Sequence, residues 1–320
     1  MSAPRIVALC GGIGGAKLAL GLYRVLPPDT LTVIVNSGDD FDHLGLRICP
    51  DIDTTLYTLA GLANTQLGWG RADESWAFMQ ALGELGGDTW FRLGDKDLAL
   101  HVERTRRLHS GETLSAFVAE VARRFGIAAA IVPMTDDAVR TRVSTPQGEL
   151  DFQDYFVRRR CEPQVTALHF EGAAHAQLAP GARAALAEPM LEAIIVCPSN
   201  PYLSVDPILA VPGMRELLRR AAAPVIAVTP LVGGRAVKGP TAKIMAELKV
   251  PLSAAAIASH YGELIDGFVL DAADAALRGQ FSCTVRVAET VMVTLADRER
   301  LARETLAFAR ELRPQAAARA

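Results

Sequence analysis

A glycine-rich turn near the N-terminus has the residue types that bind phosphate. Residues 10–17 read CGGIGGAK, between the apolar run 6–9 and an apolar-rich segment that predicts a helix. Glycine lets backbone N–H groups crowd around an anion, and the positive end of the helix dipole strengthens the attraction. A tight turn that needs glycine only for close packing has the same pattern. The predicted phosphate site consists of Gly11, Gly12, Gly14, Gly15 and Lys17.

Four aspartates follow the second apolar run, residues 31–35, and they suggest a metal site. Asp39 and Asp40 follow that run after three intervening residues, and Asp51 and Asp53 lie in a proline-containing segment. Aspartate commonly caps a helix N-terminus, which accounts for one or two of them. Four carboxylates exceed that need, and Mg²⁺ binds one or two carboxylates together with phosphate oxygens. We predict that at least one of Asp39 and Asp53 binds Mg²⁺.

Three further segments offer groups that suit a phosphorylated substrate. Arg92 lies beside a lysine and two aspartates, although a salt-bridge cluster at a helix start has the same composition. Pro198, Ser199 and Asn200 follow an apolar run, and they combine a restrained backbone with polar side chains, as an ordinary capped turn also does. Lys238, beside a glycine and a proline, is either a phosphate-neutralising lysine or an exposed one without a role.

The glycine turn fits neither of two common nucleotide-binding motifs. A Walker A loop has a hydroxyl residue after its lysine, where this chain has Leu18, and a dinucleotide fingerprint has its third glycine where this chain has Lys17. His43, His101 and His260 lack the spacing of metal ligands and are interpreted as structural or hydrogen-bonding residues. Five scattered cysteines indicate neither a disulfide framework nor a zinc site.

Composition limits the class of protein. The chain has 320 residues, of which 50% are hydrophobic and 22% charged, so it can bury one large core or two modest ones. The net charge of −3 and the scattered basic residues argue against a nucleic-acid partner. We find neither a signal peptide nor an apolar run of about 18 residues, so we expect no membrane partner and a cytoplasmic location.

The elements that must position these groups follow from alternating apolar runs and helical patterns. They predict an α/β fold with a doubly wound, mainly parallel, Rossmann-like sheet, whose ligands bind at the carboxyl ends of the strands. Residues 62–126 predict a helical insertion, with Thr113 as the N-cap of its last helix. Residues 139–157 alternate around a turn and predict a β-hairpin. We predict a single domain over residues 1–320.

Nine segments, taken in order, resemble one family, the 2-phospho-L-lactate transferases of coenzyme F420 biosynthesis. They span nearly the whole chain. The segments are GGIGGAKL (11–18), NSGDD (36–40), LRICPDIDTTLYTLAG (46–61), GWGRADE (68–74), WFRLGDKDLALHVERT (90–105), PMTDD (133–137), FQDYFV (152–157), PSNPYLSVDPIL (198–209) and VKGP (237–240).

This resemblance implies a transferase that moves a phosphorylated small acid from a guanosine diphosphate conjugate to Fo, which is 7,8-didemethyl-8-hydroxy-5-deazariboflavin, and releases GMP. It implies Mg²⁺ near Asp39 and Asp53, contacts of Asp53 and Arg92 with Fo, and guanosine phosphates held at Gly12 and at residues 199–200. It also implies a homodimer. The ribityl hydroxyl of Fo attacks phosphorus directly, so no protein nucleophile is required. Of the two catalytic aspartates, we assign proton acceptance to Asp53 rather than Asp39.

Two questions stay open at this point. Tyr202 and Asp206 replace the small apolar residue and the glycine of the family's pattern, so the pocket for the donor acid differs and the acid can be lactate, enolpyruvate or glycerate. Two other classes of protein also fit the phosphate and metal groups. They are another nucleotide-sugar-type transferase and a non-catalytic nucleotide-binding regulator, neither of which needs to bind a deazaflavin.

Overall fold

A computed structural model describes residues 5–237 and 239–319, and its centre is a parallel β-sheet. The strands are β1 (Arg5–Cys10), β2 (Leu31–Val35), β3 (Phe41–His43), β4 (Leu46–Ile48), β5 (Ala130–Pro133), β6 (Arg140–Thr145), β7 (Gly148–Asp151), β8 (Ala167–Glu171), β9 (Leu191–Val196), β10 (Val225–Val228), β11 (Leu231–Val232), β12 (Arg235–Ala236), β13 (Gly267–Asp271) and β14 (Thr284–Ala288).

Helices surround this sheet. The α-helices are α1 (Gly12–Val25), α2 (Pro50–Ala60), α3 (Ala77–Glu84), α4 (Asp95–His109), α5 (Leu114–Arg124), α6 (Pro180–Leu186), α7 (Asp206–Ala210), α8 (Met214–Arg220), α9 (Thr241–Glu247), α10 (Ala254–Tyr261) and α11 (Leu295–Arg319). Two π-helical turns lie at Asp154–Arg158 and Pro201–Val205, and 3₁₀ turns lie at Ala173–His175, Gly262–Leu264 and Ala272–Gln280.

The order of strands in the sheet creates a crevice beside β1. Seven strands pair in the order β14-β13-β10-β9-β1-β2-β5, and all of these pairs are parallel. From β1 the chain proceeds to β2 and β5 on one side, and it returns to β9 on the other side. Doubly wound sheets bind ligands at such a reversal, outside the carboxyl ends of the strands. The predicted α/β, Rossmann-like fold class is confirmed.

Both faces of the sheet are buried, because β1 contributes to two hydrophobic clusters in alternation. Val7 and Leu9 pack in one cluster, with residues of α6, α7, α8 and α10. Ile6 and Ala8 pack in the other, with residues of α1, α2, α5 and α11. Burial on both faces explains why the strand sequences are continuous apolar runs. The rigid sheet therefore holds its carboxyl-end loops in fixed positions.

Within residues 62–126 the structure contains α3, α4 and α5, and the predicted cap of α5 is confirmed. The Thr113 side chain accepts a hydrogen bond from the N–H of Ala116, with 3.2 Å between Oγ1 and N. The assignment of residues 1–320 to one domain stays a prediction. In the described part of the chain, we find no helix that combines the length and apolar character required to span a bilayer.

The segment 139–157 differs from a simple hairpin. Strands β6 and β7 pair antiparallel around Thr145 and Gly148, but β7 ends at Asp151, and β8 adds a third strand on the other side of β6. After Asp151 the chain turns inward and buries the side chains of Phe152 and Tyr155. A π-helical turn begins at Asp154. Residues 152–157 therefore form an inward turn and a π-helical turn, and not an extension of β7.

Candidate active site

A cavity of about 770 Å³ lies at the carboxyl ends of β1, β2 and β9, where the strand order reverses. Ten of the residues predicted from the sequence line it. These are Gly11, Gly12, Gly14, Lys17, Asp39, Asp53, Arg92, Pro198, Ser199 and Asn200.

Two predicted site residues are outside this lining set. Gly15 does not line the cavity but packs behind its wall, where an added Cβ would lie 2.3 Å from Oγ of Ser199. Lys238 lies outside the described residues, although its neighbours Val237 and Gly239 line the cavity.

The first turn of α1 packs directly against residues 198–200. The N–H of Gly11 donates to Oγ of Ser199 (3.1 Å), and the Ser199 hydroxyl donates to the carbonyl oxygen of Gly11 (2.7 Å). A Cβ on Gly14 would lie 2.6 Å from the carbonyl oxygen of Pro198. Close packing thus requires glycine here, and the Ser199 hydroxyl joins the two predicted phosphate-binding segments to each other.

The same turn presents groups to the cavity that suit an anion. Backbone N–H groups in the first turn of a helix have no partner within that helix. The N–H of Gly12 donates to the carboxylate of Asp51, and Ile13 and Gly14 line the cavity. From the same helix, Nζ of Lys17 donates to the carbonyl oxygen of Met292 (2.9 Å), which holds its positive charge at the cavity wall. Amides without a partner inside the helix, together with the helix dipole, suit a phosphate group.

Asp39 and Asp51 are buried carboxylates linked through Asn36. The side-chain amide of Asn36 donates to Oδ2 of Asp51 (2.9 Å) and also hydrogen-bonds Asp39. Burial raises the pKa of both groups, to about 6 for Asp51, and the charge of Asp51 raises the pKa of Asp39 further. Two buried carboxylates that repel each other suit a divalent cation, because it removes the repulsion. The donor set at these two residues therefore fits Mg²⁺.

Asp53, only two residues after Asp51, already has a cationic partner. The guanidinium of Arg104 binds both of its carboxylate oxygens, and Nη1 lies 3.1 Å from Oδ2. Nδ1 of His101 lies 3.7 Å from the same oxygen. Burial raises the pKa of Asp53, and the charge of Arg104 opposes that rise. Asp53 is therefore held in one orientation by a charge-assisted pair of hydrogen bonds.

Arg92 lies at an end of the cavity that is rich in aromatic rings. Its guanidinium carbon is 4.2 Å from the centroid of the Trp76 ring. Trp69, Trp90 and Phe91 line the same end, and the rings of Trp90 and Phe91 meet edge to face with centroids 5.7 Å apart. Aromatic walls with one positive group suit a flat, polar ring system.

The charged cluster that follows Arg92 divides into a structural part and a cavity part. Asp95 accepts hydrogen bonds from the Ser75 hydroxyl and from two backbone N–H groups at the start of α3. Asp95 therefore caps the start of α3 through hydrogen bonds. Asp97 differs, because it lines the cavity and accepts a hydrogen bond from the Tyr57 hydroxyl (2.6 Å).

Several cavity residues were missed by the sequence reasoning. His101, which the sequence indicates as a structural or hydrogen-bonding residue, also lines the cavity, and its Nε2 lies 3.4 Å from Oδ2 of Asp97. Asp97 and His101 are four residues apart in a predicted helix, so their shared face could have been inferred from spacing. No comparable signal identifies Arg104, which is completely buried.

The expectation for Tyr202 and Asp206 was wrong. Neither residue lines the cavity. The Tyr202 ring packs 4.8 Å from the ring of His260, and Nε2 of His260 lies 2.8 Å from Oδ1 of Asp206. The larger and more acidic residues at these positions are therefore accommodated by His260, behind the residues that form the cavity, and do not shape a pocket for the donor acid.

The fold and the cavity define an α/β protein with a cavity suited to anionic ligands at the switch point of its sheet. Comparison with known proteins gives its family. The family model described as 2-phospho-L-lactate transferase CofD matches residues 6–311. The chain belongs to this family, which confirms the resemblance to the transferases of coenzyme F420 biosynthesis, and it is therefore an enzyme of the transferase class.

Individual relatives agree with the family match. A phosphoenolpyruvate transferase from Streptomyces coelicolor is 42% identical over 318 residues, which cover 97% of this chain and 99% of the relative. A 2-phospho-L-lactate transferase from Methanosarcina mazei is 34% identical over 300 residues, covering 93% of this chain and 98% of the relative.

A solved structure supports the fold. The crystal structure of a UPF0052 family protein from Bacillus halodurans superposes with a TM-score of 0.61 over 96% of this chain and 99% of that one. The two sequences are 13% identical, so this likeness concerns the fold alone.

Proposed function

We propose that this enzyme transfers a phospho-acid from a guanosine diphosphate conjugate to the terminal ribityl hydroxyl of Fo, with release of GMP and in the presence of Mg²⁺. One observation carries the proposal. The open first turn of α1, the buried pair of Asp39 and Asp51, and the separately ion-paired Asp53 all line one cavity. Transfer of a substituted phosphoryl group needs these three things: an anion cradle, charge neutralisation and a proton acceptor.

The proposed step is a direct displacement at phosphorus. The hydroxyl oxygen of Fo forms a bond to the phosphorus that bears the acid, while the bond from that phosphorus to the bridging oxygen of GMP breaks. The hydroxyl proton passes to the carboxylate of Asp53. The first-turn amides of α1 and the charge of Lys17 stabilise the departing GMP.

The roles that we propose for the aspartates differ from the sequence-based prediction. The family resemblance implies Mg²⁺ at Asp39 and Asp53, but the binding of both Asp53 oxygens by Arg104 favours Asp51 as the second ligand. When bound, Mg²⁺ would supply positive charge to the pyrophosphate of the donor. Asp53 then remains available as the proton acceptor.

The aromatic end of the cavity supports Fo as the acceptor. The ring system of a deazaflavin is flat and polar, and Arg92, Trp90 and Phe91 offer it a cation and ring faces or edges at one site. A nucleotide-sugar-type transferase or a non-catalytic nucleotide-binding regulator has no need of this end.

For the donor acid we propose enolpyruvate. The Streptomyces coelicolor relative, at 42% identity, is named a phosphoenolpyruvate transferase, whereas the Methanosarcina mazei relative, at 34%, is named a 2-phospho-L-lactate transferase. The family resemblance also supports a homodimer, which stays a prediction, as does the cytoplasmic location.

The test is mass spectrometry of the products formed from Mg²⁺, Fo and each of three guanosine diphosphate conjugates, carrying enolpyruvate, 2-lactate or glycerate. We expect GMP and a phosphoenolpyruvyl adduct of Fo from the first conjugate, formed faster than the other two adducts. Formation of GMP without an Fo adduct would support a different nucleotide-dependent enzyme. Absence of all products would support a binding protein, and a faster reaction with lactate would overturn only the choice of acid.

A further inference from the structure

Arg104 is the largest completely buried side chain with a full positive charge among the described residues, and it touches Asp53 from behind the cavity wall. It does not line the cavity itself. Its guanidinium meets both Asp53 oxygens, and Nη1 also donates to the carbonyl oxygen of Arg47 (3.2 Å). These contacts fix the guanidinium on two sides.

Phe117 and His101 also contact the Arg104 guanidinium. Its guanidinium carbon lies 5.5 Å from the centroid of the Phe117 ring. Nδ1 of His101 lies 3.3 Å from Nη1, and because arginine can only donate, this imidazole nitrogen accepts and its proton is on Nε2, toward Asp97. Residues from α2, α4 and α5 thus converge on one carboxylate.

We propose that Arg104 is the positioning residue of this enzyme, which holds the Asp53 carboxylate in the orientation that receives the acceptor's proton. The proposal rests on the proposed function and deepens it, because Arg104 acts only through Asp53. A planar guanidinium binds a carboxylate at two points and so fixes its rotation, whereas an ammonium group gives a single point of attachment. Orientation matters because a displacement of about 1 Å in a reacting group can cost about 100-fold in rate.

The test compares Arg104→Met, Arg104→Lys and the wild type in the Fo transfer assay. We expect kcat to fall about 100-fold in Arg104→Met and about tenfold in Arg104→Lys, where charge is kept but the two-point contact is lost. KM for the guanosine conjugate should change by less than about twofold, since the anion cradle is unaltered. A merely structural role would instead lower the fraction of active enzyme and leave the kcat of that fraction unchanged. Titration of the nucleotide sites with GDP measures the active fraction.

Arg107→Met is the matched control. Arg107 lies on the same helix, its guanidinium carbon is 5.2 Å from the centroid of the same Phe117 ring, and it pairs with Glu112 away from the cavity. Its substitution should leave kcat within about twofold of wild type, because neither Arg107 nor Glu112 lines the cavity.

A double substitution keeps the proposal falsifiable if Arg104→Met fails to fold. Asp53→Asn combined with Arg104→Met removes both charges together, so no carboxylate is left buried without its cation. Fo affinity, followed by fluorescence titration, should be no weaker in this double variant than in Asp53→Asn alone, because a residue that acts through Asp53 has nothing further to lose.

Two outcomes would overturn the inference, and a third would overturn the function. Wild-type turnover in Arg104→Met or in Arg104→Lys at the same active-site concentration would exclude positioning by Arg104. An additive loss of Fo affinity in the double variant would show that Arg104 acts independently of Asp53. A wild-type enzyme that makes no Fo adduct from any conjugate would contradict the proposed function itself.

Discussion

Asp51 and Asp53 lie in the first turn of the same helix, yet their surroundings are opposite. Asp51 meets neutral donors, the Asn36 amide and the N–H of Gly12, and its charge acts on the carboxylate of Asp39. Asp53 meets the guanidinium of Arg104. The first environment gains from an added cation, and the second already contains one. Neighbouring carboxylates of similar burial can therefore have different functions, because the charge that faces each of them differs.

The largest effect is expected from Asp53→Asn. An amide cannot accept the proton of the Fo hydroxyl, so kcat should fall by up to about 10⁴-fold, the upper range for a general base. Product formation by mass spectrometry measures the change. Asp42→Asn is the control, because Asp42 is an exposed partner of Arg47. Near-normal turnover after Asp53→Asn would show that Asp53 is not the proton acceptor.

A third carboxylate, Asp40, tests how burial competes with nearby guanidinium groups. Burial raises its pKa to about 7, although the charges of Arg140, Arg104 and Arg47 act in the opposite direction. Between about pH 4 and pH 7 the unfolded chain has released this proton and the native protein retains it. Stability therefore falls as pH rises through this window, by up to about 4 kcal/mol from this group.

Asp40→Asn should remove this share of the pH dependence. Urea unfolding at pH 4.5, 5.5, 6.5 and 7.5 then gives a flatter decline of the unfolding free energy than in the wild type. Asp42→Asn should leave the wild-type slope unchanged, because its carboxyl group is exposed. An unchanged slope in Asp40→Asn would mean that the guanidinium groups, and not burial, dominate at this position.

Measurements of Mg²⁺ binding test which of the aspartates are metal ligands. Asp39→Asn and Asp51→Asn should each weaken Mg²⁺ binding at least about tenfold, the lower limit found for groups that only support a metal ligand. Asp53→Asn should change it less than twofold. Isothermal titration with Mg²⁺ in the presence of GDP measures all three. Equal losses in Asp51→Asn and Asp53→Asn would instead favour the original choice of Asp53 as a ligand.

The smallest effect concerns the anion cradle that both aspartates adjoin. In Gly14→Ala the new Cβ would lie 2.6 Å from the carbonyl oxygen of Pro198, so α1 must shift away from that turn. GDP affinity should fall by several-fold, because the first-turn amides move with the helix. Gly83→Ala is the control, since its Cβ would make an ordinary contact at 3.7 Å with Thr89. Calorimetry measures the GDP affinity of both variants. Equal affinities would show that the first turn of α1 at Gly14 does not contribute to GDP binding.

The sequence by itself determined the class of fold and most of the candidate site. Three apolar runs are followed by Gly11, Asn36 and Pro198, which places these residues at the carboxyl ends of parallel strands. Such strand ends share one edge of a sheet. That rule brings the glycine turn, the acidic segment and the proline turn together without knowledge of the packing. The family motifs added Arg92 and the chemistry.

Only the tertiary structure decided which carboxylate faces which charge. Arg104 reaches Asp53 from a helix 51 residues further along the chain, and no local pattern encodes that approach. The same holds for His260, which occupies the space beside Tyr202 and Asp206. Spacing along a strand or helix determines the face on which a residue lies, but the pKa and partner of a buried group depend on side chains that other elements bring to it.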